Sequence, residues 1–323
     1  MRFTAYIGGL LGLALLIGIA IRADLGAMLQ TLALAGWPLL WLVPYRLLYF
    51  LLYAIGWLDL LRPYDRERRA GLGYLLWVTS VREAIDRLLP VASVGGGVAG
   101  VRLLGWRGLA IAPASASVIV EILLTLVVLY LFIALGLFLL FNLHAAGPEY
   151  RRMLVGFLCS LPAPVAVAML LRYGSVFARL QRFARPLLGE RATSQGAAAL
   201  DRELRASLGR ASTLLGVGSL QLIAVMGGAF EVWWVLRLCG HPVGASAALI
   251  LESMTQAIRH LAFFVPAGIG VQEAGLVLFG HVLGISGELA LAVSMAKRVR
   301  EVLCGLPPLI SWQWMEARRL RSL

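Results

Sequence analysis

The chain reads as an all-α polytopic membrane protein, with about six full transmembrane helices and two broken re-entrant segments. These make eight helical membrane segments in all, arranged as a pseudo-inverted repeat within a single integral membrane domain, residues 1–323. Three observations predict this. First, the chain is 60% hydrophobic and 14% charged, with a mean hydropathy of +0.84, whereas a soluble domain is about 25% charged. Second, six apolar runs approach or exceed the roughly 20 residues that a helix needs to cross a bilayer. Third, two further apolar runs are interrupted by proline, glycine and charged residues.

In chain order, the first run, Phe3–Ile21, resembles a signal h-region but is longer and has no convincing cleavage site. It is expected to remain as a first span. Pro38–Leu61, Leu109–Phe141, Met153–Leu171, Ser212–Leu238 and Leu289–Trp312 are the other five. The first interrupted segment, 72–104, lies in a first half spanning 1–141; the second, 243–283, lies in a second half spanning 142–323. Leu89-Pro90-Val91-Ala92-Ser93-Val94-Gly95 parallels Val265-Pro266-Ala267-Gly268-Ile269-Gly270, and an acid, Glu121 or Glu301, occurs in the span that follows each. Proline removes a backbone donor and glycine permits dihedrals that other residues resist, so neither segment is expected to form one continuous helix. Backbone left unpaired at membrane depth survives only where protein buries it or it lines a polar cavity. Broken segments that meet near the midplane are the geometry of inverted-repeat transporters.

Charge predicts orientation. The net charge is +12, and Lys297 is the only lysine. The arginines gather between apolar runs: Arg62, Arg66, Arg68 and Arg69 in one loop, eight from Arg172 to Arg210, and Arg318, Arg319 and Arg321 near the C-terminus. This is the positive-inside pattern of a membrane protein, and it argues against a nucleic-acid partner. With both termini cytoplasmic, re-entrant interrupted segments keep every basic loop inside. If both segments crossed fully, the arginine-rich loop after Arg172 would be exported. Residues 172–211 read as a cytoplasmic or interfacial connector. Phe177, Leu180, Phe183 and Leu187 alternate there with Arg179, Arg182 and Arg185 at helical spacing, and Asp201 and Arg205 are spaced as an i,i+4 pair. A plain solvated linker is the competing reading.

The candidate site gathers where charges enter apolar segments. Glu273 and Gln272 follow Pro266, Gly268 and Gly270, and an intramembrane acid beside a break is by default a functional hypothesis. The last span carries Lys297, Arg298, Arg300 and Glu301, each costing roughly 2.5–3.5 kcal/mol at mid-bilayer unless paired. Glu301 is spaced to neutralise Lys297 or Arg298, leaving positive charge that Glu273 or an anionic ligand could balance. Before the first break, Arg82–Asp86 and Glu83–Arg87 are complementary i,i+4 pairs, either local neutralisation or part of a pathway. Arg82, Arg87 and Arg102, with Pro90, Gly95 and Gly96, are candidates for contact with a headgroup, since arginine binds phosphate with a planar fork. Arg46 is isolated in its span and requires a buried partner, with Glu121 or Glu273 the candidates. Trp37, Trp41, Tyr45, Tyr49, Tyr53 and Trp57 recur every fourth residue. The three tyrosines either pack against neighbouring helices or form a wall against a fused-ring or isoprenoid lipid. Cys159, Cys239 and Cys304 read as packing residues, and four dispersed histidines indicate no metal site. No P-loop pattern or other cofactor motif is present, so ATP is not expected as the direct driver.

The stretch Trp77–Gly96, followed by Arg102-Leu103-Leu104, resembles the flippase-like transmembrane family of lysylphosphatidylglycerol synthetases, most closely its hopanoid-biosynthesis-associated branch. Phe264–Glu273, the tail Lys297–Glu301 and Gly305-Leu306-Pro307 fit the same branch. The resemblance implies a multi-pass protein of the bacterial inner membrane that moves or presents a lipid (hopanoid, isoprenoid or phospholipid), without the aminoacyl-transferring domain of the larger synthetases. It also implies lipid-biosynthesis enzymes as candidate partners. This chain departs from the family pattern at Gly97, where an acid mirroring Glu273 is expected, and at Asp86, where asparagine is common. Three functions follow as expectations: a lipid translocator that is not an enzyme, a membrane-embedded lipid-modifying enzyme, or a non-transporting scaffold for lipid biosynthesis.

Overall fold

The computed structural model describes residues 35–89, 95–143, 155, 162–179, 194–262, 265 and 268–321. The expected first span, most of the first half of the expected span Met153–Leu171, Pro90, Pro266 and all of Leu180–Arg191 lie outside the described residues. Among the described residues the structure is helical, with no strand. A 3-10 turn, Trp37–Trp41, with Pro38 near its start, leads into α1 (Leu42–Leu61). There follow α2 (Leu72–Leu88), α3 (Gly95–Trp106), α4 (Ile111–Leu143), α5 (Pro162–Tyr173) and α6 (Ser194–Leu208). The chain continues through α7 (Ala211–Leu238), α8 (Ala245–Leu261), α9 (Val271–Val282) and α10 (Gly287–Arg321).

Among the described residues, three helical stretches are long and apolar enough to cross a membrane: Trp37–Leu61, Ile111–Asn142 and Ala211–Leu238. With the family match given below, they make this a multi-pass membrane protein. At 1.5 Å per residue the 35-residue α10 is about 52 Å long, more than the bilayer's hydrocarbon core. Its four consecutive-turn charges, Lys297 to Glu301, keep it from reading as a simple span.

Both interrupted segments break where expected, for local reasons. Leu89 is extended (φ −107°, ψ 148°), the conformation forced on a residue preceding proline, and α2 ends there. In the second segment Gly268 (φ +59°) and Gly270 (φ +78°) adopt left-handed conformations, and Gly270 then caps the start of α9. Each break turns the chain back on itself, so α2 packs on α3 and α8 on α9.

The contact pattern is the same in both halves. α2 packs on α3 and α3 on α4; α8 packs on α9 and α9 on α10. Each pair is then crossed by the long helix of the other half, α10 on α2 and α4 on α8, while α1 and α7 pack on each other. Exchanging α1–α4 with α7–α10 therefore maps the principal packing onto itself. Small residues permit the close crossings, as in membrane bundles generally. A Cβ on Gly305 of α10 would lie 2.6 Å from Leu88 of α2, and one on Gly136 of α4 would overlap Ser253 of α8. Gly136→Val is expected to cost about 1–3 kcal/mol through overpacking, read as a lowered midpoint in a thermal melt of the detergent-solubilised protein.

Two main apolar clusters result among the described residues. One surrounds Trp57, Leu75, Val78, Leu103 and Leu104; the other surrounds Ile133, Val232, Leu251, Leu276 and Val293. In the connector, the expected Asp201–Arg205 pair does not form. α6 packs on α4 and α5 and buries Leu204 and Leu208 in the first cluster. Asp201 turns away from Arg205: its carboxylate accepts the backbone N–H groups of Phe177 (3.1 Å) and Ala178 (2.9 Å), satisfying donors at the start of a helical turn. Arg205 donates instead to Ser175.

Candidate functional site

Between the two apolar clusters, α1, α2, α4, α7 and α8 line an open-sided cavity of about 400 Å3, to which the second break contributes Val265 and Gly268. α1 contributes Arg46, Tyr49 and Tyr53, one helical face at i, i+3 and i+7. α2 contributes Thr79, Arg82, Glu83, Asp86 and Arg87, α4 contributes Glu121 and Thr125, and α8 contributes Glu252, Gln256, Arg259 and His260. Apolar helices thus deliver charge to one interior site. Lipid-facing apolar surface on the same helices gives these groups no other low-energy direction.

Pairing makes the site stable. Arg46 donates to Glu83 at 2.5 Å, and Arg87 reaches the same carboxylate at 3.0 Å. Arg82 pairs with Glu121 at 2.5 Å and lies over the Trp57 ring, 4.5 Å from its centroid. Asp86 accepts the Gly96 N–H at 2.9 Å, and a Cβ at Gly96 would sit 2.6 Å from the Arg82 carbonyl oxygen, so the return of α3 against α2 requires glycine there.

Glu301 is the hub behind the cavity. It lies 3.8 Å from Arg87 of α2, 3.7 Å from Arg259 of α8, 3.2 Å from Arg298 and 3.7 Å from Arg300. Arg259 also donates to Gln272 Oε1 at 2.6 Å. Arg298 holds the second break in place: it donates to the Gly268 carbonyl at 3.0 Å and to Glu273 at 3.1 Å. Ser294 joins Gln272 (3.1 Å) and Glu273 (2.9 Å). Two pairs lie deeper still, Lys297 with Glu252 and Arg300 with Glu231, each with both side chains at most 6% exposed.

Several sequence expectations are corrected by these partners. Arg46 finds Glu83, not Glu121 or Glu273, because α1 packs directly on α2. Lys297 crosses to Glu252 rather than following α10 to Glu301, which Arg298 occupies. Glu83–Arg87 forms as spaced, but Arg82 and Asp86 turn to Glu121 and Gly96 instead of each other. Arg102 stands apart. It lies two turns along α3, about 10 Å beyond Gly95, is 58% exposed, and pairs with Glu316 near the end of α10.

Tyr45 also leaves the aromatic wall. Fourfold spacing rotates each residue about 40° from the last, and Tyr45 faces α7, donating to the Gly227 carbonyl at 2.8 Å and packing on Phe230. Tyr49 and Tyr53 remain in the cavity with stacked rings, centroids 4.7 Å apart, and the Arg46 guanidinium covers Tyr49 at 3.7 Å. Glu273, Gln272, Lys297, Arg298 and Glu301 do not line the cavity; they brace the elements that do. Pro90 and Pro266 lie outside the described residues.

The expected excess of positive charge is absent from this region. Its cations are Arg46, Arg82, Arg87, Arg259, Lys297, Arg298 and Arg300. Its acids are Glu83, Asp86, Glu121, Glu231, Glu252, Glu273 and Glu301, an equal number. Sequence reasoning missed Glu231, Glu252, Gln256 and Arg259. Their signal was present: each interrupts an apolar stretch, and Glu252, Gln256 and Arg259 fall on one face of α8 at i, i+4 and i+7.

The symmetry also accounts for Gly97. With Pro90 set on Pro266, Gly97, Val118 and Ile122 fall on Glu273, Ser294 and Arg298. In the structure a Cβ on Gly97 would meet Val118 at 3.5 Å and Ile122 at 3.8 Å, just as Glu273 meets Ser294 and Arg298. The whole polar triad is replaced by an apolar one, so the missing acid leaves no base unpaired. At the next equivalent pair the sign is reversed, Glu121 in the first half and Lys297 in the second, each satisfied by the preceding broken pair.

A helical, multi-pass membrane protein with a charge-paired cavity between two broken helix pairs is the class that this fold and site define. The chain belongs to the lysylphosphatidylglycerol synthase TM region family, which matches residues 7–306. No curated protein and no solved structure shows a significant match to it.

Proposed function

We propose that this protein is a flippase-like lipid translocator of a bacterial inner membrane, not an enzyme. A polar headgroup enters the cavity while the acyl or polycyclic tail stays in the bilayer. A hopanoid is the leading candidate lipid, with isoprenoid lipids and phospholipids behind it. In this reading the pairs α2–α3 and α8–α9 are re-entrant, enter from opposite faces, and form a pseudo-inverted repeat with both termini cytoplasmic. The observation that carries the proposal is the cavity itself, lined by arginines, carboxylates and two tyrosines within an apolar frame. Family membership supports it, because the matched region is the membrane part of proteins named for a lipid product. Arms of 17 and 12 residues in each broken pair also support it, being about 25 and 18 Å long against a hydrocarbon core of about 30 Å.

The test is reconstitution of the full chain into vesicles containing acyl-labelled lipids, with dithionite reporting exchange between leaflets. Exchange above that of protein-free vesicles is expected. Replacing Tyr49 and Tyr53 together by leucine is expected to slow it about tenfold, the loss of two aromatic contacts, whereas Tyr45→Phe, off the cavity, leaves it unchanged. Exchange indistinguishable from empty vesicles with every lipid tried would overturn the proposal. A chemically altered lipid recovered from the purified protein in detergent would replace it with the lipid-modifying enzyme.

A further inference from the structure

Around the cavity the charges balance in number but not in place. Glu83 alone serves two arginines of the wall: Arg46 Nη2 at 2.5 Å and Arg87 Nε at 3.0 Å reach the same oxygen. Glu301 is held by Arg298 at 3.2 Å and lies 3.8 Å from Arg87 and 3.7 Å from Arg259, beyond hydrogen-bond distance of either. Arg298 and Arg300 have Glu273 and Glu231 as further partners. On this side Arg46, Arg87, Arg259, Arg298 and Arg300 therefore stand against Glu83, Glu231, Glu273 and Glu301, one acid short. Arg82 with Glu121 and Lys297 with Glu252 cancel one for one. The acid that restores the total is Asp86, which has no Lys, Arg or His partner within 4.0 Å among the described residues. Its carboxylate accepts the Gly96 N–H at the start of α3, where a helix terminus carries about half a positive charge. The positive surplus stays with Arg46, Arg87 and Arg259.

The same three guanidinium groups keep donors open. Each engages one nitrogen: Arg46 Nη2 and Arg87 Nε on Glu83, and Arg259 Nη1 on Gln272. Nε and Nη1 of Arg46, both Nη of Arg87, and Nε and Nη2 of Arg259 make no hydrogen bond among the described residues, and none of them is fully buried. Their side chains retain 12, 21 and 11% exposure, and all three line the cavity. They come from α1, α2 and α8, and the chain of contacts Arg46–Glu83–Arg87–Glu301–Arg259 keeps them neighbours. A guanidinium binds phosphate through two parallel N–H groups along one edge. With five N–H donors, one that has a single nitrogen engaged still offers such an edge. Phosphate is the complement: it brings negative charge to the surplus and non-ester oxygens that several forks can share. An uncharged headgroup leaves the surplus unmatched, and a cationic one adds to it in a low-dielectric interior.

We propose that the headgroup handled by this cavity carries a phosphate, bound by the open edges of Arg46, Arg87 and Arg259, whatever tail it is joined to. The inference rests on the translocator reading and names the headgroup chemistry of the same site. The full chain, purified in a polyoxyethylene detergent that brings neither charge nor phosphate, is offered equimolar phosphatidylglycerol, undecaprenyl phosphate, diacylglyceryl hemisuccinate and monoglucosyl diacylglycerol. Native mass spectrometry reports which lipids are retained, and the same lipids with labelled tails report exchange in vesicles. Retention of a phosphate lipid above both the succinate and the glucosyl lipid is expected, and the better retained of the two phosphate lipids identifies the source of the phosphate. Arg46→Lys and Arg259→Lys keep the charge but not the planar fork. Each should lower phosphate-lipid retention about tenfold, the lower end for one hydrogen bond to a charged group, with the other two lipids and the unfolding midpoint unchanged. Arg102→Lys, at an exposed arginine away from the cavity, should alter nothing. Equal retention of succinate and phosphate lipids, a preference for the glucosyl lipid, or the same loss in Arg102→Lys overturns the proposal. Phosphate-lipid preference in binding without exchange in vesicles would instead remove the translocator reading and leave the headgroup assignment standing.

Discussion

Lys297→Met is expected to destabilise the protein by about 3–5 kcal/mol, the cost of leaving one member of a buried ion pair without its partner. Both side chains are almost inaccessible: Lys297 is 6% exposed and Glu252 4%. Gln256 donates to the other oxygen of Glu252 at 2.8 Å and cannot neutralise it. The same argument predicts rescue. In Lys297→Met/Glu252→Leu no charge remains to be buried, and a buried ion pair replaced by apolar residues of similar volume is often neutral or stabilising. Unfolding midpoints of the single and double variants in detergent check this. A double variant no more stable than Lys297→Met would show that the site requires polarity and not merely a matched charge.

Glu301→Gln should have the broadest effect of any single change, about 3 kcal/mol in stability together with loss of lipid exchange. Among the described residues, Glu301 is the one carboxylate that α2, α8 and α10 share, through Arg87, Arg259, Arg298 and Arg300. Without its charge, Arg87 and Arg259 have reason to turn into the cavity they line, and the two broken pairs lose their common anchor. Double-mutant cycles with Arg87→Met and Arg259→Met should give coupling energies of about 0.5–3 kcal/mol with Glu301. Additive effects would mean that the hub couples nothing, and that the broken pairs are held by apolar packing alone.

Much of the frame was legible before any coordinates. The runs Leu109–Phe141 and Ser212–Leu238 match α4 and α7 within two residues at each end, and Pro38–Leu61 matches α1 taken together with the 3-10 turn before it, because a helix in lipid must satisfy its backbone internally and its length follows the apolar run. The two breaks were legible for an equally local reason: Pro90 dictates an extended Leu89, and glycines at 268 and 270 supply positive φ. Partners were harder. Arg46 was recognised as needing an acid, yet two wrong ones were nominated, since sequence spacing carries no information about which helix lies alongside. Tyr45 was grouped with Tyr49 and Tyr53, although a slow helical drift was enough to turn it onto α7.

The balance of charge was missed for a related reason. Glu231, Glu252 and Arg259 each stand alone in an apolar run, and a lone charge seen in one dimension looks like an exception. Folded together, the three complete the pairing of Arg300, Lys297 and Glu301. Gly97 looked like a damaged half-site until Val118 and Ile122 were found opposite it.

What the chain's residues determined alone was everything governed by solvent and local backbone: a helical membrane protein, its apolar segments, and the points where two of them must break. Hydropathy and dihedral preference act within a turn or two, so they can be read along one strand of text. The tertiary structure alone decided which charges cancel and which rings line the cavity. Those outcomes depend on contacts of a few ångströms between helices far apart in sequence, and in a low-dielectric interior such contacts set the cost of every buried ion.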